Sequence, residues 1–145
     1  MKKLLLIATS VVSLGGGFFT ALRVLSRLPS GPLPVVWDKE SCGHCHMHVG
    51  EPRFAAQLQT TTGEVLNFDD PGCLLYYRAK QNPGVHAMYF HHVYEDRWLE
   101  MEQVGFVAVD SSPMGYNFGA VGKEVPNAIP LQVAEQKILA KGTPR

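Results

Sequence analysis

Surplus charge is the first thing this chain lacks. Its 13 lysines and arginines equal its 13 aspartates and glutamates, so no basic stripe invites nucleic acid and no acidic tail suggests a solvating role. Cysteine is scarce, with three in 145 residues. An odd number builds no multi-bridge disulfide framework even in an exported chain, so Cys42 and Cys45 read as a ligand or redox pair rather than a staple. No cysteine precedes Cys42, so a bacterial lipid anchor is not expected. A catalytic constellation is missing too. Ser111 and Ser112 have no evident base, and Asp69-Asp70 reads as a helix cap, so the chain is not expected to be an enzyme.

An apolar fraction of 46% argues for a folded globule. The start of the chain is different in kind. Lys2 and Lys3 precede an uncharged apolar run from Leu4 to Leu22, which fits a Sec signal peptide and is long enough to span a bilayer. Gly15-Gly16-Gly17 offers cleavage points, but Phe18, Phe19, Leu22, Val24 and Leu25 would leave an apolar mature end. That favours an uncleaved anchor. The expected organisation is therefore a signal peptide or anchor over 1–27, a linker over 28–40 rich in proline and glycine, and one small domain over 41–145. The domain is placed on the periplasmic side of the inner membrane.

Within that domain, residues 53–59 and 64–68 read as two strands joined by a Thr60–Gly63 turn. Asp69 and Asp70 supply caps and Pro71 a first helical position for a helix to about Lys80, ended by Asn82-Pro83-Gly84. A strand over 85–94 carries Ala87, Tyr89, His91 and Val93 on one face. Strands over 105–110 and 116–121 follow, then a helix over 131–141. Two successive strand-strand-helix(-strand) halves predict an α+β fold forming one small domain behind the N-terminal hydrophobic segment.

The chemistry concentrates in residues 42–48, Cys-Gly-His-Cys-His-Met-His. Thiolate and thioether donors select monovalent copper, whereas imidazole also suits zinc and divalent copper. In an extended strand Cys42, His44, His46 and His48 would share one face and Cys45 and Met47 the other. A turn would instead bring the two thiols together with Met47 free to swing in, and the sequence leaves both geometries open. Cys42-Gly-His-Cys45-His46 also matches the haem-attachment pattern, with His46 proximal and Met101 or Met114 distal. Gly50 and Pro52 close behind it speak against the helices a small c-type cytochrome needs. They also leave no helix to activate the first thiol of a disulfide isomerase. A structural zinc site could draw Cys42 and Cys45 together with two of His86, His91 and His92. Taken singly, His91 reads as a strand or core residue, His92 as solvated, and Cys73 as a small packing residue beside Tyr76 and Tyr77.

From Cys42 to about Val121 the chain resembles the NosL family, copper-binding accessory proteins of nitrous oxide reductase assembly. The resemblance rests on Cys42-x-x-Cys45-x-Met47, Arg53-Phe54-Ala55-Ala56-Gln57-Leu58 and the Gly63-Glu64-Val65 turn. It continues through Phe68-Asp69-Asp70, Arg97-Trp98-Leu99 and Ser112-Pro113-Met114-Gly115-Tyr116. It implies two ββαβ-type halves, similar to the substrate-side domain of organomercurial lyase. It also implies copper(I) held by Cys42, Cys45, Met47 and Met114; His46, inside the same heptad, is this chain's own candidate for a substitute ligand. Members typically carry a lipidated cysteine, and glycine where His46 stands; this chain does neither. The partner implied is an apo-cuproenzyme or another copper carrier, met at the inner membrane through the N-terminal segment. The alternative is a small c-type haem protein acting in electron transfer.

Overall fold

Alternation along Ala56-Gln57-Leu58-Gln59 makes the first strand, β1 (Ala56–Thr60), in a computed structural model that describes residues 28–143. The expected signal peptide or anchor over 1–27 lies outside the described residues. Among those described, no helix is long and apolar enough to cross a membrane. A turn with Gly63 at φ +90°, a conformation open to glycine, returns the chain as β2 (Val65–Phe68), antiparallel to β1 with Ala56 opposite Phe68. On its other edge β1 pairs antiparallel with β3 (Val85–His91), and β3 in turn with β4 (Trp98–Glu100). The second half folds as β5 (Val104–Ala108), β6 (Phe118–Gly122) and β7 (Ile129–Pro130), an antiparallel sheet with β5 in the middle.

Helix α1 (Pro71–Gln81) follows the first hairpin and helix α2 (Leu131–Lys141) the second. The fold is therefore the expected small α+β domain, with two antiparallel sheets and two helices. Arg78 on α1 meets Glu135 on α2 through both carboxylate oxygens, at 2.9 and 2.5 Å. This is the fork geometry that makes arginine–carboxylate pairs specific. The sheets meet through Phe90 and Phe106, packed edge to face at 5.2 Å, a preferred aromatic arrangement. The link between halves continues past β3, where His92 bridges Ala120 and the Val93 N–H donates to the Ala120 carbonyl.

Several expectations shift in detail. Pro52 starts a short 3-10 helix (Pro52–Phe54), so the first strand begins at 56 and not at 53. The strand expected over 85–94 ends at His91, and its two faces are both covered from Met88 onward. His92, expected in solvent, is buried, and its Nδ1 accepts the N–H groups of Tyr94 and Glu95.

Within the stretch read as a linker, 28–40, residues 31–33 lie on the four-stranded sheet. The reason is in β1: Ala56 and Leu58 point to the core, so Gln57 and Gln59 point the other way, yet all four are fully buried. Buried amides need partners. Gln57 accepts the Leu33 N–H and donates to the Leu33 carbonyl, Gln59 donates to the Gly31 carbonyl, and the Tyr89 hydroxyl accepts the Gly31 N–H. Residues 31–33 thus form a strap over the outer face, leading the chain to the 42–48 loop.

Candidate metal centre

The loop over 42–48 is closed at its base by a bridge between Ser41 and His48. Inside it the Cys42 N–H donates to the Met47 carbonyl at 2.7 Å and the His46 N–H to the Cys42 carbonyl at 3.0 Å. The Gly43 N–H reaches the Asn67 carbonyl and ties the loop to β2. Of the two geometries the sequence allows, this is the turn, and it brings the first two thiols together. His46 takes φ +63°, a left-handed conformation that costs a residue with a Cβ roughly 1–2 kcal/mol.

A third thiol completes the site. Asp70 caps α1 by accepting the Gly72 N–H at 2.8 Å, which fixes Cys73 in the first helical turn. The sulfurs of Cys42, Cys45 and Cys73 all lie within 4.8 Å of one another, and all three are free thiols. Cys42 and Cys73 are fully buried, while Cys45 is half-buried and opens the group to the surface. Three sulfurs at about 2.3 Å from a central soft ion would stand about 4 Å apart. The cluster is therefore near the required size before any ion enters.

The electrostatics single out Cys42. A hydrogen bond from the Cys73 thiol outweighs burial and, with the backbone N–H groups of Cys45, Asp69 and His44, lowers its pKa to about 5. Cys73, the donor of that bond, is pushed strongly upward by it and by burial. Burial also raises Cys45, partly offset by the Met47 N–H. Of the three thiols, Cys42 is thus the one that ionises most readily.

The other candidate ligands stand around this core. Met47 is exposed, the residue being 56% accessible, and His46 and His48 are exposed beside it. The His44 ring stacks on Tyr76 of α1 at 5.0 Å. Met114 sits in the Ser112–Gly115 turn, half-buried against the core that contains Cys42 and Cys73. The zinc set does not assemble among the described residues. His86 bonds to the Pro29 carbonyl, His91 faces Asp96 at 3.2 Å, and neither they nor His92 join the thiols. Cys42 lies wholly inside the core, away from any surface where a haem vinyl group could reach it. No helix follows Cys45 to activate an isomerase thiol.

Cys73 is the residue that motif reading misses, taken there for packing. Two signals point to it: it leaves the cysteine count odd, and Asp70-Pro71 places it in the first turn of a helix that directly follows β2. His46→Gly separates a backbone role from a ligand role at its position. The variant should keep its stability within about 0.5 kcal/mol, because relieved strain offsets added chain entropy. Its cuprous-ion affinity should be unchanged; a tenfold loss would make the imidazole a ligand.

No family model and no curated protein matches this sequence. Among solved structures, the chain is similar to the crystal structure of the copper chaperone NosL from Shewanella denitrificans. The TM-score is 0.52 at 14% identity, and the match covers 81% of this chain and 92% of that one. The likeness is one of fold.

Proposed function

We propose that this chain is a copper(I) carrier that hands its ion to an apo-cuproenzyme or to another copper carrier, and is not itself an enzyme. The observation that carries the reading is the cluster of three free thiols within 4.8 Å of one another. The NosL-like fold, similar to that of a copper chaperone, supports it. Cys42, Cys45 and Cys73 are the core ligands in this reading, with Met47 and Met114 as thioether donors and His46 as a substitute at the rim. The N-terminal segment would hold the domain at the periplasmic face of the inner membrane.

The chemistry of release follows from the burial gradient. Cuprous ion prefers soft sulfur donors, and a neutral thioether holds it more weakly than a thiolate, so an incoming thiolate or imidazole can take a thioether's place before a resident thiolate leaves. Cys45 is the thiol at the surface, with Met47 exposed two residues on. A recipient's ligand would meet that edge first, while Cys42 and Cys73 hold the ion from beneath.

Titration with copper(I) under reducing conditions tests this, with the end point read against a chromophoric chelator. One ion per chain and a colourless complex are the expected result. Covalent haem with a Soret band in protein from a haem-maturation-competent host would overturn it.

The proton count gives a sharper signature. Ligand thiols must be deprotonated to bind metal. Cys42 is already ionised above about pH 5, whereas Cys45 and Cys73 are held protonated at neutral pH. Binding should therefore release about two protons, and the apparent affinity should rise about a hundredfold per pH unit between pH 6 and 8. A slope of three protons would place Cys42 among the neutral thiols, and a slope of zero would remove thiols from the site.

A further inference from the structure

Asp70 does more than cap a helix. Capping uses one oxygen, Oδ1, which accepts the Gly72 N–H at 2.8 Å. The second oxygen, Oδ2, crosses to the other half of the molecule, where it accepts the Ser112 hydroxyl at 2.5 Å and the Met114 N–H at 3.1 Å. The carboxylate is fully buried, an arrangement that is costly unless every acceptor is used. Asparagine caps a helix as well as aspartate does, so capping alone gives no reason for a buried charge here. What asparagine lacks is a second acceptor oxygen: its amide group would face either Gly72 or Met114 donor to donor.

The turn that Asp70 grips is held at several further points. The Ser112 hydroxyl accepts the Asn117 N–H at 2.9 Å, the Gly115 N–H closes on the Ser112 carbonyl, and Lys141 of α2 donates to the Gly115 carbonyl at 2.6 Å. On the other side, the Cys73 N–H donates to the Asp70 carbonyl at 2.9 Å. One residue thus bonds to the backbone of the third thiol and to the backbone of Met114, 41 positions further along the chain.

Resting on the copper(I) reading above, we propose that Asp70 is a positioning residue for the metal centre. Its carboxylate holds the Ser112–Gly115 turn against the first turn of α1, so that Met114 is presented to the ion held by the thiols. The centre then spans both halves of the fold, joined by one buried carboxylate.

A double-mutant cycle on the full chain tests this, with copper(I) affinity measured by chelator competition. Met114→Leu and Asp70→Asn should each lower affinity about tenfold, and the double variant should bind no more weakly than either single one. Such non-additivity is a signature that loss of fold stability does not produce. Ser112→Ala leaves the charge and the cap in place. It should give a smaller loss that likewise vanishes in the Met114→Leu background, and it carries the test should Asp70→Asn fail to fold. Multiplying losses, near a hundredfold in the double variant, would overturn the proposal. So would a Met114→Leu chain that binds as tightly as wild type while Cys73→Ser does not, and in that case the copper reading survives. If the wild-type chain ignored copper(I) altogether, that reading itself would fall.

Discussion

Replacing Cys73 with serine is expected to weaken copper(I) binding by at least about a hundredfold, while leaving the fold within about 1 kcal/mol of wild type. Partners in the outer shell of a metal site commonly contribute ten- to a hundredfold each, and a direct thiolate ligand, unlike a weaker neutral thioether, should exceed them. Serine matches the thiol in shape and can keep a hydrogen bond to Cys42, so the packing is little disturbed. Titration with copper(I) beside a thermal melt separates the two roles. An unchanged affinity would return Cys73 to the status of a small core residue. Cys73→Ala adds a second readout, because the Cys73 hydrogen bond is the largest cause of the low Cys42 pKa. Without it, the thiolate ultraviolet band of the apo protein should persist only to a higher pH than in wild type.

The largest effect on stability is expected at Gly72. A Cβ there would fall 2.1, 2.4 and 2.6 Å from Cγ, Cδ2 and Cβ of Tyr116, and that ring is almost entirely buried. Neither a helix backbone nor a packed aromatic ring yields cheaply, since interiors are close-packed and overpacking costs about 1–3 kcal/mol. Gly72→Ala should lie at the upper end, near 3 kcal/mol, and lower Tm by on the order of 10 °C. It should also weaken metal binding, because the helix turn that must shift carries Cys73. Calorimetric melts with and without copper(I) check both parts. An unchanged melt would mean that the close approach of Gly72 and Tyr116 is absent in solution.

Local rules made part of this molecule readable in advance. The second helix spans 131–141 as its apolar spacing implies, and Asp70 caps the first helix ahead of Pro71. The strand read over 53–59, which in fact begins at Ala56, and the alternation in 64–68 placed the first hairpin. Strands β4 and β7 were hidden because three and two residues carry no period. Asp69 was grouped with Asp70 as a cap, but its carboxylate instead accepts the Gly50 N–H at 3.0 Å, a contact between segments that no local pattern records. The strap over 31–33 escaped for a similar reason: a run of proline and glycine looks like a linker until two buried glutamines require its backbone.

The same limit divided the site. Cys42 and Cys45 are neighbours in sequence, and their turn was one of two geometries that motif spacing allowed. Cys73 reaches them only because the loop is bonded to β2 while the helix follows β2 directly, so that Phe68, Asp69 and Asp70 lie between the two. That closeness belongs to topology, as does the grip of Asp70 on the Met114 turn.

Copper K-edge X-ray absorption on the copper(I)-loaded chain tests the central claim most directly. A sulfur-dominated first shell, with Cu–S distances of about 2.2–2.3 Å, that loses a scatterer in Cys73→Ser is the predicted result. A shell built mainly of nitrogen, or one identical in wild type and Cys73→Ser, would contradict it.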